Sequence, residues 1–184
     1  AAHLDLLGRV AVPDTDQHVY FQNQETDAAT RESIANRPYM TALAKRFGDV
    51  HGKVVPALRS VFTTKLVPDS TFSGVAWMPG VLGVTQGRVN AQGEVSNPRI
   101  YMNVHGMYNQ ALTWAKKIGV KEGSSDFRTI LAGLYVDTMI HETAHTVTTT
   151  QVDASGHGGQ HSIAIQNVHR TADVAAWTAD MYAA

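Results

Sequence analysis

The chain has no cysteine. That excludes a disulfide framework and a thiolate-held zinc site, and it leaves histidine and carboxylate as the strong metal ligands available. The redox compartment stays open, because a chain without thiols is compatible with any. Net charge is nearly as scarce: 15 basic residues against 16 acidic ones give -1, so no overall field draws the protein onto nucleic acid or an anionic membrane. Long apolar runs are missing too. None approaches the roughly 20 residues that cross a bilayer, and the opening A-A-H-L-D-L-L-G-R lacks the basic-then-apolar layout of a signal peptide. These absences lead us to expect a soluble chain with no membrane partner, and they leave its compartment unspecified.

With 184 residues, 43% of them hydrophobic, the chain can bury one ordinary core and carry a smaller appendage. Thr26 to Phe62 has helical spacing. Asp27 is placed to cap a short helix, Asn36 and Pro38 to open a second that Gly48 would end, and Pro56 falls in the first turn of a third between His51 and Phe62. Between Phe72 and Asn103, glycines, β-branched residues and short alternations predict two or three short antiparallel strands. The clearest are Val81 to Val89 and Arg99 to Val104, with a turn at Ala91 to Gly93. Met107 to Ile118 reads as an amphipathic helix stopped by Gly119. A helix capped at Ser125 or Asp126 and running to about Thr148 is apolar around most of its circumference, so it belongs at the centre of the domain. A last helix is expected from about Gly159 to Met181, with Ile165, Val168 and Ala172 on its apolar stripe.

The central helix carries polar exceptions in the string H-E-T-A-H, His141 to His145. Residues four apart stack on one helix face, so both imidazoles can reach one ion, while Glu142 is turned about 100° around the axis toward whatever lies beside it. Zinc suits such a site: it accepts neutral imidazole and keeps an open position when three protein ligands hold it. A zinc ion lowers the pKa of water and polarises a carbonyl, and a neighbouring carboxylate can take the proton as water attacks. A third ligand must come from elsewhere. Position 151, where a metzincin would have histidine, is Gln151, so the candidates are His157 and His161 in D-A-S-G-H-G-G-Q-H.

These residues resemble the SprT-like (Spartan-type) metallopeptidase domain. H-E-T-A-H followed by S-G-H-G at Ser155 to Gly158 is similar to that family's helix and third-ligand loop, and P-R-I-Y-M-N at Pro98 to Asn103 looks like its preceding strand. The resemblance covers residues 72 to 175. It implies a zincin-like minimal fold, and with the elements read above the expectation is an α+β chain with a small mostly antiparallel sheet, a buried HExxH helix and N-terminal helices. It implies zinc held by His141, His145 and His157, and Glu142 as catalytic acid and base. Reach points the same way, because His157 sits between two glycines at the tip of the returning loop. His161 stands where the family usually has an aromatic residue.

The expectation is therefore a zinc metalloendopeptidase acting on a protein or peptide substrate, with residues 1-70 an N-terminal helical segment and 71-184 the SprT-like domain. His161 and Tyr135 are candidates for holding a ligand in place or stabilising an oxyanion, as are Tyr101 and His169 more weakly. Asp153 and Asp173 could orient an imidazole through its second nitrogen. His3, His18, His51 and His105 read as surface or structural residues. The family's cysteine-rich zinc module and basic DNA-binding region have no counterpart here: after Glu142 the only Lys or Arg is Arg170. Strong nucleic-acid binding by this chain alone is not expected. The alternative is a structural component of a larger assembly, such as a virion, that keeps the fold while its activity is vestigial or confined.

Overall fold

The computed structural model describes residues 20–21, 38–60, 70–77, 81–89, 95–146 and 159–182. In chain order these form β1 (Tyr20–Phe21), α1 (Pro38–Arg59), β2 (Thr71–Trp77), β3 (Gly83–Val89), β4 (Val95–Met102), α2 (Val104–Ile118), α3 (Ser125–Ala144), α4 (Gly159–Thr171) and α5 (Val174–Tyr182). The result is an α+β protein, mostly helical, built on one small sheet. None of the described helices is long and apolar enough to cross a membrane.

The sheet is mixed, which corrects the expectation of a mostly antiparallel one. Its order is β1-β2-β4-β3; β1 and β2 pair in parallel, as do β2 and β4, and only β3 and β4 are antiparallel. The alternation that signals a local β3–β4 pairing carries no information about which side of β4 the preceding strand takes. Strand β2 takes the far side, so β3 is left on the edge and β2 runs parallel to β4.

One helix also replaces two expected ones. Helix α1 runs unbroken through Gly48 and keeps Pro56 in its last turn. Leu43, Phe47, Val50, Val54 and Leu58 line one face of it and are buried. A helical glycine costs about 1 kcal/mol against alanine, whereas each buried large apolar side chain contributes about 1.5–3 kcal/mol, so burial wins at Gly48. Proline removes the bond to the carbonyl four residues earlier, here that of Gly52. Both Gly52 and Pro56 are exposed, so water can satisfy that carbonyl. The expected helix capped by Asp27 and the turn at Ala91 to Gly93 lie outside the described residues.

Capping sets the other boundaries. The Asn103 side chain accepts from Gly106 N at 2.9 Å and opens α2, and Gly119, at φ 75°, closes it. Ser124 Oγ accepts from Phe127 N at 3.2 Å and opens α3, one residue before the expected caps. The expected final helix is two: Asp173 Oδ1 accepts from Ala176 N at 3.1 Å, so a fresh cap starts α5 after the chain bends at Ala172.

Helix α3 is buried on almost every side, packing against α1, α2, α4, α5, β3 and β4. Phe47 joins the N-terminal helix to this core, with its ring 5.7 Å from Phe72 and 5.1 Å from Tyr135, edge-on to the latter. Buried His51 tethers the start of β2, its Nε2 lying 2.7 Å from Ser70 Oγ, and burial lowers its pKa. Phe47→Ala should therefore cost roughly 3–5 kcal/mol in urea denaturation. A loss below about 1 kcal/mol, as expected of a surface change, would place α1 outside the common core.

Candidate metal centre

The last turn of α3 brings together the residues of H-E-T-A-H. His141 and His145, one helical turn apart, present Nε2 atoms 3.2 Å from each other, with ring centroids at 4.9 Å and planes at 83°. His141 is partly open to solvent, with 39% of its side chain exposed, so the pair is reachable from outside. The helix tightens as it ends: His145 N donates to Glu142 O at 3.2 Å and Thr146 N to Thr143 O at 3.0 Å. It therefore stops at Ala144 rather than at the expected Thr148.

Glu142 leans toward the edge strand while its Oε1 stays 4.0 Å from His141 Nε2, and the residue is only 5% exposed. Its surroundings come from β3. A Cβ on Gly83 would stand 2.8 Å from Glu142 Cγ and 3.2 Å from Oε1, so only glycine leaves room for the carboxyl without a shift. Two residues on, Thr85 Oγ1 lies 2.7 Å from Glu142 O and 2.8 Å from Glu142 Oε2. A hydroxyl has one proton to give. With Glu142 ionised, Thr85 donates to one of these oxygens and leaves the other; with Glu142 protonated, the carboxyl donates to Oγ1 and Thr85 donates to the carbonyl, so both contacts are made. Burial pushes the Glu142 carboxyl from its ordinary 4.5 up to about 7, and the Thr85 hydrogen bond pulls the other way.

Strand β3 is itself held from behind. Asn103 Nδ2 donates to Val81 O at 2.7 Å and Asn103 N to Leu82 O at 2.8 Å, which fixes the residues leading into Gly83. Gly106 is part of this joint, since a Cβ there would come within 2.6 Å of Asn103 Nδ2.

The third histidine at the site is His161, buried on α4. Its Nε2 lies 3.0 Å from His141 O, and because a carbonyl only accepts, that nitrogen carries the proton and Nδ1 keeps the lone pair. Its ring stacks on His145 at 4.1 Å and 25° and stands 4.6 Å from the His141 ring. His141, His145 and His161 can each offer a ring nitrogen so that the three lie within 4.8 Å of one another.

Three imidazoles are a donor set that zinc accepts, and the His141–His145 pair has the spacing it needs. Two nitrogens bound to one tetrahedral ion at about 2.0–2.1 Å stand roughly 3.3 Å apart, and His141 and His145 are at 3.2 Å. His161 fits as a partner whose distal N–H is fixed by a carbonyl, the usual way a ligand imidazole is oriented.

Of the other site candidates, His157 and Asp153 lie outside the described residues, as do His3 and His18. Tyr135 is not at the site: it is buried six residues before His141, against Phe47. Tyr101 is buried on β4 opposite Val84. His169 lies 3.7 Å from Asp137 on an exposed surface, and Asp173 is spent as a cap. Sequence reasoning missed Gly83 and Thr85, which come from a strand 57 residues from Glu142 in the case of Thr85 and carry no local signal. For His161 a signal existed: it lies four residues before Ile165 and seven before Val168, on the stripe that marks the buried face of α4.

The raised pKa of Glu142 has a thermodynamic consequence for the metal-free protein. The folded state holds this proton more tightly than the unfolded one, so its contribution is complete below pH 4.5 and is lost as pH rises through about 7. Glu142→Gln removes this dependence while leaving the histidine contributions common to both proteins. In the presence of chelator, wild type should lose roughly 3 kcal/mol relative to the variant between pH 4.5 and 8, read from denaturation at each pH. A difference that does not change with pH would mean that the carboxyl titrates as an ordinary glutamate.

Compared with protein-family models, curated proteins and solved structures, the chain matches none.

Proposed function

We propose that this protein is a zinc-dependent peptidase of zincin-like design, akin to the SprT-like domains its sequence resembles, with Glu142 as general base. The observation that carries this reading is the meeting of two imidazole nitrogens at 3.2 Å beside a buried carboxyl whose pKa is pushed up to about 7. A general base is most effective when its pKa lies near the working pH, and burial moves the metal-free carboxyl in that direction. His141, His145 and His161 would hold the ion. Zinc, when bound, supplies a Lewis acid and a lowered pKa for water.

The chain's own residues supply the proton handling. Glu142 accepts a proton from the attacking water and returns it to the departing amine, and each change in its protonation is matched by Thr85. When the carboxyl is ionised, Thr85 donates to Oε2; when it is protonated, the donor reverses and the Thr85 proton goes to Glu142 O. The hydroxyl thus keeps the carboxyl in one orientation through both states, and Gly83 keeps the space it occupies. His161 holds the His141 carbonyl and thereby the end of the helix that carries both other imidazoles.

Protein purified without added metal should hold about one zinc per chain by elemental analysis and be stabilised by zinc on heating. Absence of both would remove the proposal. Glu142→Gln should keep the metal while peptidase activity on an unstructured protein falls by roughly 100-fold or more. Thr85→Val should keep the metal and lower turnover roughly 10- to 100-fold, with Thr85→Ser restoring most of it. Metal without any turnover in wild type would favour the assembly-component reading.

A paired experiment decides the third ligand. His161→Ala should lose most of the zinc and His157→Ala should retain it. The opposite pattern would give the position to His157, as the family resemblance implies, and leave His161 the task of holding the His141 carbonyl.

A further inference from the structure

Toward the other end of α3, helices α1, α2, α3 and α5 part around a cavity of about 330 Å³, within the range of small-molecule sites. It is separate from the histidines. Tyr135, the lining residue nearest to them in sequence, precedes His141 by six residues, roughly 9 Å along the axis. The walls are hydrocarbon, with Leu43, Phe127, Leu131 and Met181 among them, yet two arginines also line the space, Arg46 and Arg128.

Neither arginine has a carboxylate partner among the described residues. Arg128 rests over the ring of Tyr182, its guanidinium carbon 5.1 Å from the ring centroid, so a neutral aromatic face positions the cation. Arg46 is half-buried and makes no hydrogen bond or ion pair among the described residues. The nearby acid, Glu122, is engaged by the Tyr108 hydroxyl at 2.5 Å. The planar donors of a guanidinium at the edge of an apolar space match a carboxylate in bidentate fashion. Apolar walls with unneutralised arginine at the polar edge call for a ligand that is apolar along its length and anionic at one end.

We propose that this cavity is a binding site for an aliphatic monocarboxylate, with the tail among Leu43, Phe127, Leu131 and Met181 and the carboxylate on Arg46 and Arg128. The inference does not rest on the peptidase reading, and Glu142→Gln should bind the same ligand unchanged.

Decanoate and its neutral counterpart decanol are the probes, titrated into the full chain below the micellar threshold and followed by calorimetry and by the shift in melting temperature. Wild type should bind decanoate saturably and at least roughly tenfold more tightly than decanol. Arg46→Gln, which keeps the bulk and removes the charge, should bring the two within about threefold, and Leu131→Trp should fill the cavity and abolish both. Equal binding of decanoate and decanol by wild type, or no saturable binding of decanoate, overturns the proposal without any need of variants. A folded Leu131→Trp protein that binds decanoate as wild type does would place the ligand elsewhere and overturn it equally.

Discussion

A carboxyl group on a helix buried from nearly all sides has to be satisfied by protein, and the contact between Glu142 and the edge strand is how this molecule does it. Ionised and unpaired at such depth, the group would cost several kcal/mol. Thr85 offers it one hydroxyl at 2.8 Å, and Gly83 offers it the space a side chain would fill. Those two residues are useful only if β3 stays within a hydrogen bond of α3. Asn103 secures this, since it caps α2 with its Oδ1 and holds Val81 and Leu82 with its Nδ2 and backbone N–H. The sequence of dependence runs from a buried cap to an edge strand, and from that strand to the carboxyl. Disturbing Asn103 should therefore be felt at Glu142, because the two are linked through β3.

The parts of this architecture legible in the sequence are those whose signal is local. Helix α3 is readable because its apolar positions cover its circumference and its polar exceptions form one compact string, and α2 because Gly119 closes it in the left-handed conformation that glycine adopts most easily. The direction of β2 was not readable, because parallel and antiparallel neighbours present the same alternation. Helix α1 was misjudged for a different reason. Gly48 and Pro56 are real helix-weakening residues, but their effect is about 1 kcal/mol at the glycine and a missing hydrogen bond on a wet face at the proline. The buried stripe from Leu43 to Leu58 outweighs both, and its value depends on Phe72 and Tyr135, which lie far along the chain.

The candidate site divides along the same line. The pairing of His141 with His145 follows from helix geometry alone and is present as expected. The third imidazole depends on how the chain between α3 and α4 returns, which spacing does not specify. Flanking glycines make His157 free to approach, but freedom is also an entropic cost when the residue is ordered. His161 is ordered already, because α4 packs its Ala164 and Val168 face into the core and carries His161 with it. Its hydrogen bond to the His141 carbonyl then selects the tautomer. The stripe on α4 was visible in the sequence; what was not visible is that this face of α4 would meet the end of α3 rather than its middle.

Burial on almost every side also explains how a single helix can border both the histidine cluster and the cavity while keeping them apart. Tyr135 and His141 differ by six residues, which at about 100° per residue leaves them roughly 120° apart around the axis and about 9 Å apart along it. Tyr135 therefore faces the cavity framed by α1 and α5, while His141 faces the opening beside α4. A small molecule in the cavity cannot touch the imidazoles, so any influence of one site on the other has to pass through α3 as a displacement of the whole helix. Among the contacts that resist such a displacement are Phe47 against Tyr135 near the middle of α3 and Thr85 against Glu142 near its end. Because a packed helix moves as a unit, loosening the first contact would be transmitted to the second. The geometry of the Glu142 carboxyl is thereby coupled to the integrity of α1, which contributes no residue to the histidine cluster.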